Sequence, residues 1–187
     1  ARIKEKLKVE IANLKEKHKI VPGLAAVLVG KNPASNIYVT KKQEACKEVG
    51  IHSERHELPE SATEKELLKL ITTLNKNKKI HSILVQLPLP EQMDENKILS
   101  AVLPEKDVDG FGPINLGKLF SGESEAAPCT PKGIMKLIDN TGIQLEGKFA
   151  VVVGRSKIVG KPTAHLLLNR NATVCVCHSM TADLAAV

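Results

Sequence analysis

Residues 149–177, FAVVVGRSKIVGKPTAHLLLNRNATVCVC, decide the fold class of this chain. Phe149–Val153 is a run of β-formers of strand length that breaks at Gly154 into a short polar turn. Gly160 with Pro162 then starts a helix, and Ala172–Cys177 returns to strand-like alternation. Strand, turn, helix and strand make one βαβ unit, whose two strands must run parallel. The amino end of such a helix gathers unpaired N–H groups and suits an anion. The Gly154-to-Gly160 spacing departs from G-x-G-x-x-G, so the fingerprint is weak and the βαβ context carries the reading.

The same alternation extends towards the amino terminus. Arg2–His18 has apolar residues at Ile3, Leu7, Ile11 and Leu14, a helical period closed by Pro22-Gly23. Leu24–Val29 is a continuous apolar strand, and Gly30–Ser35 turns into a helix that stops at Gly50. Ile51–Leu58 is a second strand, Thr63–Leu74 a helix capped by Ser61 or Thr63, and Ile80–Gln86 a third strand. This β-α-β-α-β order predicts a parallel sheet with helices on its faces. Pro128–Gly133 reads as a helix start, with Thr130 as cap, Pro131 at the first helical position, and Ile134, Leu137 and Ile138 inward. The fold class is therefore α/β, with two parallel-sheet αβα domains and a cleft between them. The domain break falls between about 125 and 147. It divides the chain into 1–127, a connecting helix and turn at 128–147, and the start of a Rossmann-like domain at 148–187.

Composition narrows the function classes. Aromatics make up 2% of the 187 residues, so Val, Ile, Leu and Ala must fill the core, as buried parallel strands require. The net charge of +6 permits anionic partners. Its lysines are spread over amphipathic segments, without the basic and aromatic interleaving of a single-strand binder. Small polyanions fit better than nucleic acid. Cys46, Cys129, Cys175 and Cys177 are too scattered for a disulfide framework, and no apolar run has membrane-spanning length. The expected setting is a reducing compartment, cytoplasm first and mitochondrion second, with no membrane partner. Cys175 and Cys177 share one strand face, and core packing suits them better than zinc, which wants wider spacing and further ligands.

Ligands of parallel α/β sheets bind outside the carboxyl ends of the strands. The third strand delivers Gln86-Leu87-Pro88-Leu89-Pro90, a stiff exit that either fixes the Gln86 amide at the crevice or merely turns the chain. Pro104–Gly110 is a charged loop whose Asp107 and Asp109 lack a third acid or His for a metal; a turn or recognition of N–H groups is preferred. Tyr38 and Lys42 stand four apart on a helix, one turn from each other. They fit a solvated amphipathic helix as well as an aromatic platform with a proton-transfer group; in a cleft partly closed to water, an ammonium is disfavoured. At the tip of the last strand His178-Ser179 replaces the acid that usually holds ribose hydroxyls, and Arg155 sits in the turn, so the charge pattern favours NADP over NAD.

SNIYVTKK, LVQLPLP, PEKDVDGF, PCTPKG and VVVGRSKIVGKP, in this order, resemble the methylenetetrahydrofolate dehydrogenase/cyclohydrolase family over essentially the whole chain. The resemblance implies a bifunctional one-carbon enzyme serving purine biosynthesis. It would oxidise 5,10-methylenetetrahydrofolate with NADP, then hydrolyse the methenyl product to 10-formyltetrahydrofolate. It implies that Tyr38 stacks on the folate, that Lys42 handles protons, and that Gln86 hydrogen-bonds Lys42, with Leu87 beside it in the substrate site. It implies that Asp109 holds the pterin and that Gly154, Arg155, Ser156, Ile158 and Ser179 form the cofactor site. A homodimer is implied as well. Hydride transfer itself asks for alignment, not for a protein acid or base. A monofunctional dehydrogenase is one alternative, and a basic nucleic-acid-binding or regulatory module on the same fold is another. A Tyr-x-x-x-Lys pair of the short-chain dehydrogenase kind is rejected by order, because Tyr38 precedes the nucleotide turn. The chain stops at Val187, after the second strand of the nucleotide domain, which needs further strands to bury its sheet; the resemblance implies that these strands, a glycine-rich loop and a terminal helix would complete it. These 187 residues alone would hold NADP weakly.

Overall fold

The computed structural model describes residues 2–123 and 127–187. Contacts divide the chain into two compact units, Ala1–Val108 and Asp109–Val187. The expected break interval opens at Glu125, which lies outside the described residues. The division falls ahead of it because helix α5 (Pro113–Ser121) packs on helix α7 (Gly160–Leu168). There Asn169 Nδ2 donates to the Leu119 carbonyl at 3.4 Å and the Phe120 and His165 rings meet edge-on at 4.7 Å.

In the first unit the strands β1 (Gly23–Val29), β2 (His52–Leu58) and β3 (Ser82–Val85) pair in the order β2-β1-β3, all parallel. β1 is central because its run from Ala25 to Val29 is apolar on both faces and almost fully buried. β2, HSERHEL, alternates charge and lies at the edge, where polar side chains stay wet. Around them run α1 (Arg2–His18), α2 (Pro33–Val49), α3 (Glu64–Lys76) and the short α4 (Glu95–Ala101). Leu67, Ile71 and Leu74 of α3 join Val27, Ile83 and Ile98 in the core. Between the two candidate caps of α3, Thr63 is the one used. Its hydroxyl accepts from Glu66 N while Glu66 accepts from Thr63 N at 2.7 Å, a reciprocal capping box.

The second unit holds α5, α6 (Cys129–Thr141), β4 (Phe149–Val153), α7 and β5 (Thr173–Cys177), with β4 and β5 parallel. α6 begins two residues earlier than expected, so Thr130 lies inside its first turn and Pro128 occupies the cap position without a side-chain bond. Its inward residue is Met135, packed with Ile138, whereas Leu137 is 68% exposed. Cys175 and Cys177 do share a face, their sulfurs 4.0 Å apart, and burial pushes the Cys177 thiol up, with Cys175 adding to the effect.

Candidate functional site

Two groups of sequence-predicted residues stand at strand exits, one in each unit. In the first, β1 ends in Gly30, which turns at φ +81 into α2. Asn32 Oδ1 accepts from Ser35 N at 3.1 Å, Pro33 opens the helix, and Gly50 closes it in the left-handed conformation. On the following turns Tyr38 is 60% exposed and Lys42 half-buried, and neither makes a hydrogen bond or ion pair among the described residues. A broad aromatic face and an unpaired ammonium thus sit one turn apart.

β3 delivers Gln86, whose backbone N–H donates to Val27 O at 2.9 Å, and then a cis Leu87-Pro88 bond. The expected Lys42–Gln86 hydrogen bond is not formed. Gln86 Nε2 donates instead to the neighbouring Leu87 carbonyl at 2.8 Å, leaving Gln86 Oε1 buried without a protein partner. That oxygen is an acceptor held ready for a donor, because an unmet buried carbonyl is costly. The Leu87 carbonyl also accepts from Ser35 Oγ at 3.5 Å, so the exit of β3 is tied to the first turn of α2. A cavity of about 340 Å³ opens at this edge, lined by Gly30, Asn32, Glu60 and Pro88.

Sequence reasoning missed two residues that position α2. Ser35 is buried, and Arg55 of β2 donates to Asn36 Oδ1 at 2.6 Å and Thr40 Oγ1 at 3.1 Å. Asn36 and Thr40, four apart on one helix face, were the available signal. The loop at 104–108 is anchored in the same unit: Ile83 N donates to Lys106 O at 2.7 Å. Lys106 Nζ donates to the carbonyls of Leu74 and Asn77 at 3.1 and 2.9 Å, at the carboxyl end of α3.

In the second unit Asp109 Oδ1 lies 3.6 Å from Cys129 Sγ, a thiol donor, so the DVDGF and PCTPKG motifs meet. The other group follows β4. Gly154, at φ +131, donates its N–H to Cys177 O at 2.7 Å, which pins the turn to the end of β5. A Cβ on Gly160 would lie 2.1 Å from the Gly154 carbonyl oxygen, so glycine is what lets the start of α7 close on the turn. Ser156 Oγ accepts from Val159 N and Gly160 N at 3.1 and 3.2 Å and keeps its own proton to donate. Arg155 makes no hydrogen bond or ion pair among the described residues, and Ile158 and Ser179 are exposed. A close-packed glycine, an unengaged guanidinium and two hydroxyls at a helix start and strand tip fit the phosphates of a dinucleotide. Among the described residues no group of three His, Cys, Asp or Glu stands close enough to hold a metal ion.

Comparison with known proteins bears on both groups. Residues 1–109 match the family described as tetrahydrofolate dehydrogenase/cyclohydrolase, catalytic domain, and residues 128–187 match its NAD(P)-binding domain. The bifunctional protein FolD of Geotalea daltonii is 55% identical over 186 residues, covering 100% of this chain and 66% of its own length. A crystal structure of the bifunctional FolD methylenetetrahydrofolate dehydrogenase/cyclohydrolase from Campylobacter jejuni superposes with a TM-score of 0.96. It is 51% identical and covers 99% of this chain and 66% of its own. The Trypanosoma brucei FolD, complexed with NADP and an inhibitor, superposes at 0.92 with 39% identity, over 97% of this chain and 62% of its own. The chain thus spans just under two thirds of these relatives. Because both domain matches fall in order on the two units that carry the two groups of residues, the chain belongs to the tetrahydrofolate dehydrogenase/cyclohydrolase family.

Proposed function

We propose that this chain carries the folate-binding and proton-handling part of a bifunctional enzyme, together with the opening of its NADP-binding domain. The enzyme oxidises 5,10-methylenetetrahydrofolate to the methenyl form and hydrolyses that to 10-formyltetrahydrofolate. The observation that carries the reading is the buried, unmatched oxygen that Gln86 holds at the exit of β3, with Lys42 on α2 making no hydrogen bond or ion pair among the described residues. Residues 1–127 serve the folate, 128–147 connect, and 148–187 begin the cofactor domain.

Tyr38 offers its exposed ring as a stacking platform for the folate. Asp109 accepts from pterin N–H groups, a charge-assisted contact that fixes orientation. When bound, NADP supplies the hydride acceptor. Arg155, Ser156 and Ser179 hold its phosphates, with Gly154 and Ile158 shaping the turn beneath. In the hydrolysis, water adds to the methenyl carbon and one carbon–nitrogen bond opens. Lys42 moves the proton, and Gln86 Oε1 holds the Lys42 ammonium or a substrate N–H in place. Leu87 contributes an apolar contact beside it.

Replacing Lys42 by Met should abolish the absorbance decay of methenyltetrahydrofolate while NADPH formation stays measurable; equal hydrolysis rates in variant and parent would overturn the assignment. Asp109→Ala should raise the folate KM and weaken both activities. The homodimer, the cytoplasmic setting and a place in purine biosynthesis go with this reading, and analytical ultracentrifugation of the enzyme tests the first of them.

A further inference from the structure

The parallel sheet of the first unit has a second edge that the proposed function leaves unused. Strand exits carry Gln86 and the start of α2, so all three helix-to-strand loops enter at the opposite, amino-terminal edge. At that edge lies an open cavity of about 510 Å³. Lys19 comes from the α1–β1 loop, His52 from the start of β2, and Lys78, Lys79 and His81 from the α3–β3 loop; Ile20 and Val21 form an apolar side, and no lining residue is acidic. The nearest acid along β2, Glu54, is taken by His52 and His56 at 3.0 and 3.1 Å.

Two details show that the backbone presents these groups. Lys19 has φ +56, a left-handed position where glycine is the ordinary residue. The chain there carries instead a lysine, whose side chain borders the cavity. Gly23 N–H donates to His81 Nδ1 at 3.0 Å, which leaves the ring N–H on Nε2. Gly23 itself has no room for a side chain, since a Cβ would stand 2.0 Å from the Lys79 carbonyl oxygen; this close approach seats the Lys78–Lys79 turn on the sheet.

We infer that this amino-edge cavity binds a compact polyanion, of the triphosphate or tricarboxylate kind, between Lys19, Lys78 and Lys79, with His81 as a lateral hydrogen-bonding partner and His52 beside it. Three lysines from two loops around one cavity answer three or more negative charges, and attraction of this kind weakens as salt rises. The site is separate from the Tyr38–Gln86 edge, so its occupant does not compete with folate there.

The test is a titration of the protein with tripolyphosphate, and in parallel with citrate, followed by the nuclear magnetic resonance signals of the His52 and His81 rings. Saturable shifts with one-to-one stoichiometry are expected. Lys79→Glu and Lys78→Glu should each weaken binding at least about fivefold, while Lys65→Glu on α3, with the same change in net charge, leaves it unchanged. Should Lys79→Glu not fold, Lys78→Glu and Lys19→Glu read the same loss. Shifts that grow linearly without saturation, or equal weakening in the Lys65 and Lys79 variants, would overturn the site in favour of general charge screening. Saturation by only one of the two anions assigns the site to phosphates or to carboxylates.

Discussion

Gly160 shows how one missing methyl shapes the cofactor side. A Cβ there meets the Gly154 carbonyl oxygen at 2.1 Å and the Arg155 nitrogen at 2.9 Å, both backbone atoms that cannot swing aside. Gly160→Ala should therefore cost about 1–3 kcal/mol in urea unfolding and reduce NADP affinity, because α7 is pushed off the turn. Arg155 acts differently, since no group among the described residues engages it. Its replacement by Ala should leave stability unchanged and lower the preference for NADP over NAD at least about tenfold, the worth of one charge-assisted phosphate contact. Dissociation constants for the two nucleotides decide it.

At the level of elements, α3 is the one whose local chemistry is most completely specified. Thr63→Ala removes the cap and should cost about 1 kcal/mol, read as a lower urea midpoint at unchanged slope. Hydrogen bonds from the Thr63 backbone and hydroxyl hold the Glu66 carboxyl below the usual carboxylate range. A lowered folded-state value stabilises the protein above the unfolded-state pKa, and that contribution is lost as pH falls through the lowered value. Acid titration below about pH 4.3 should thus erode the stability of the parent more than that of Glu66→Gln. β1, β4 and α1 could be read from the sequence because their apolar patterns are continuous and their stops are Pro-Gly or Gly. Two helices could not. ENKILSA is only about two turns long, and PINLGKLFS carries Pro and Gly that read as loop. The start of α6 was misplaced because proline is as acceptable at the third helical position as at the first, neither N–H having an intrahelical partner. In the candidate site, residue identities were legible, whereas the turning of the Gln86 amide onto Leu87 O is a contest between nearby acceptors that sequence does not encode.

Across the whole molecule the two units differ in how much they bury. Among the described residues the first has thirteen buried residues in one cluster, the second only Met135, Leu167 and Ala172. One face of the second sheet leaves Phe149 62%, Val151 41% and Val153 67% exposed. A two-stranded sheet covered on one side has few ways to resist local opening. Hydrogen exchange should therefore find the amides of β1 protected by orders of magnitude more than those of β4 in this chain. Equal protection would show that the two units open together.

The carbonyl of Leu87 has one last consequence, for what kind of molecule the strand exit can accept. A peptide oxygen has two lone pairs, and Ser35 and Gln86 occupy both. A visitor offering a proton must therefore address Gln86 Oε1 rather than the Leu87 carbonyl. Under the proposed function, the strand exit would thus favour a ligand whose facing edge gives a proton over one whose facing edge receives it.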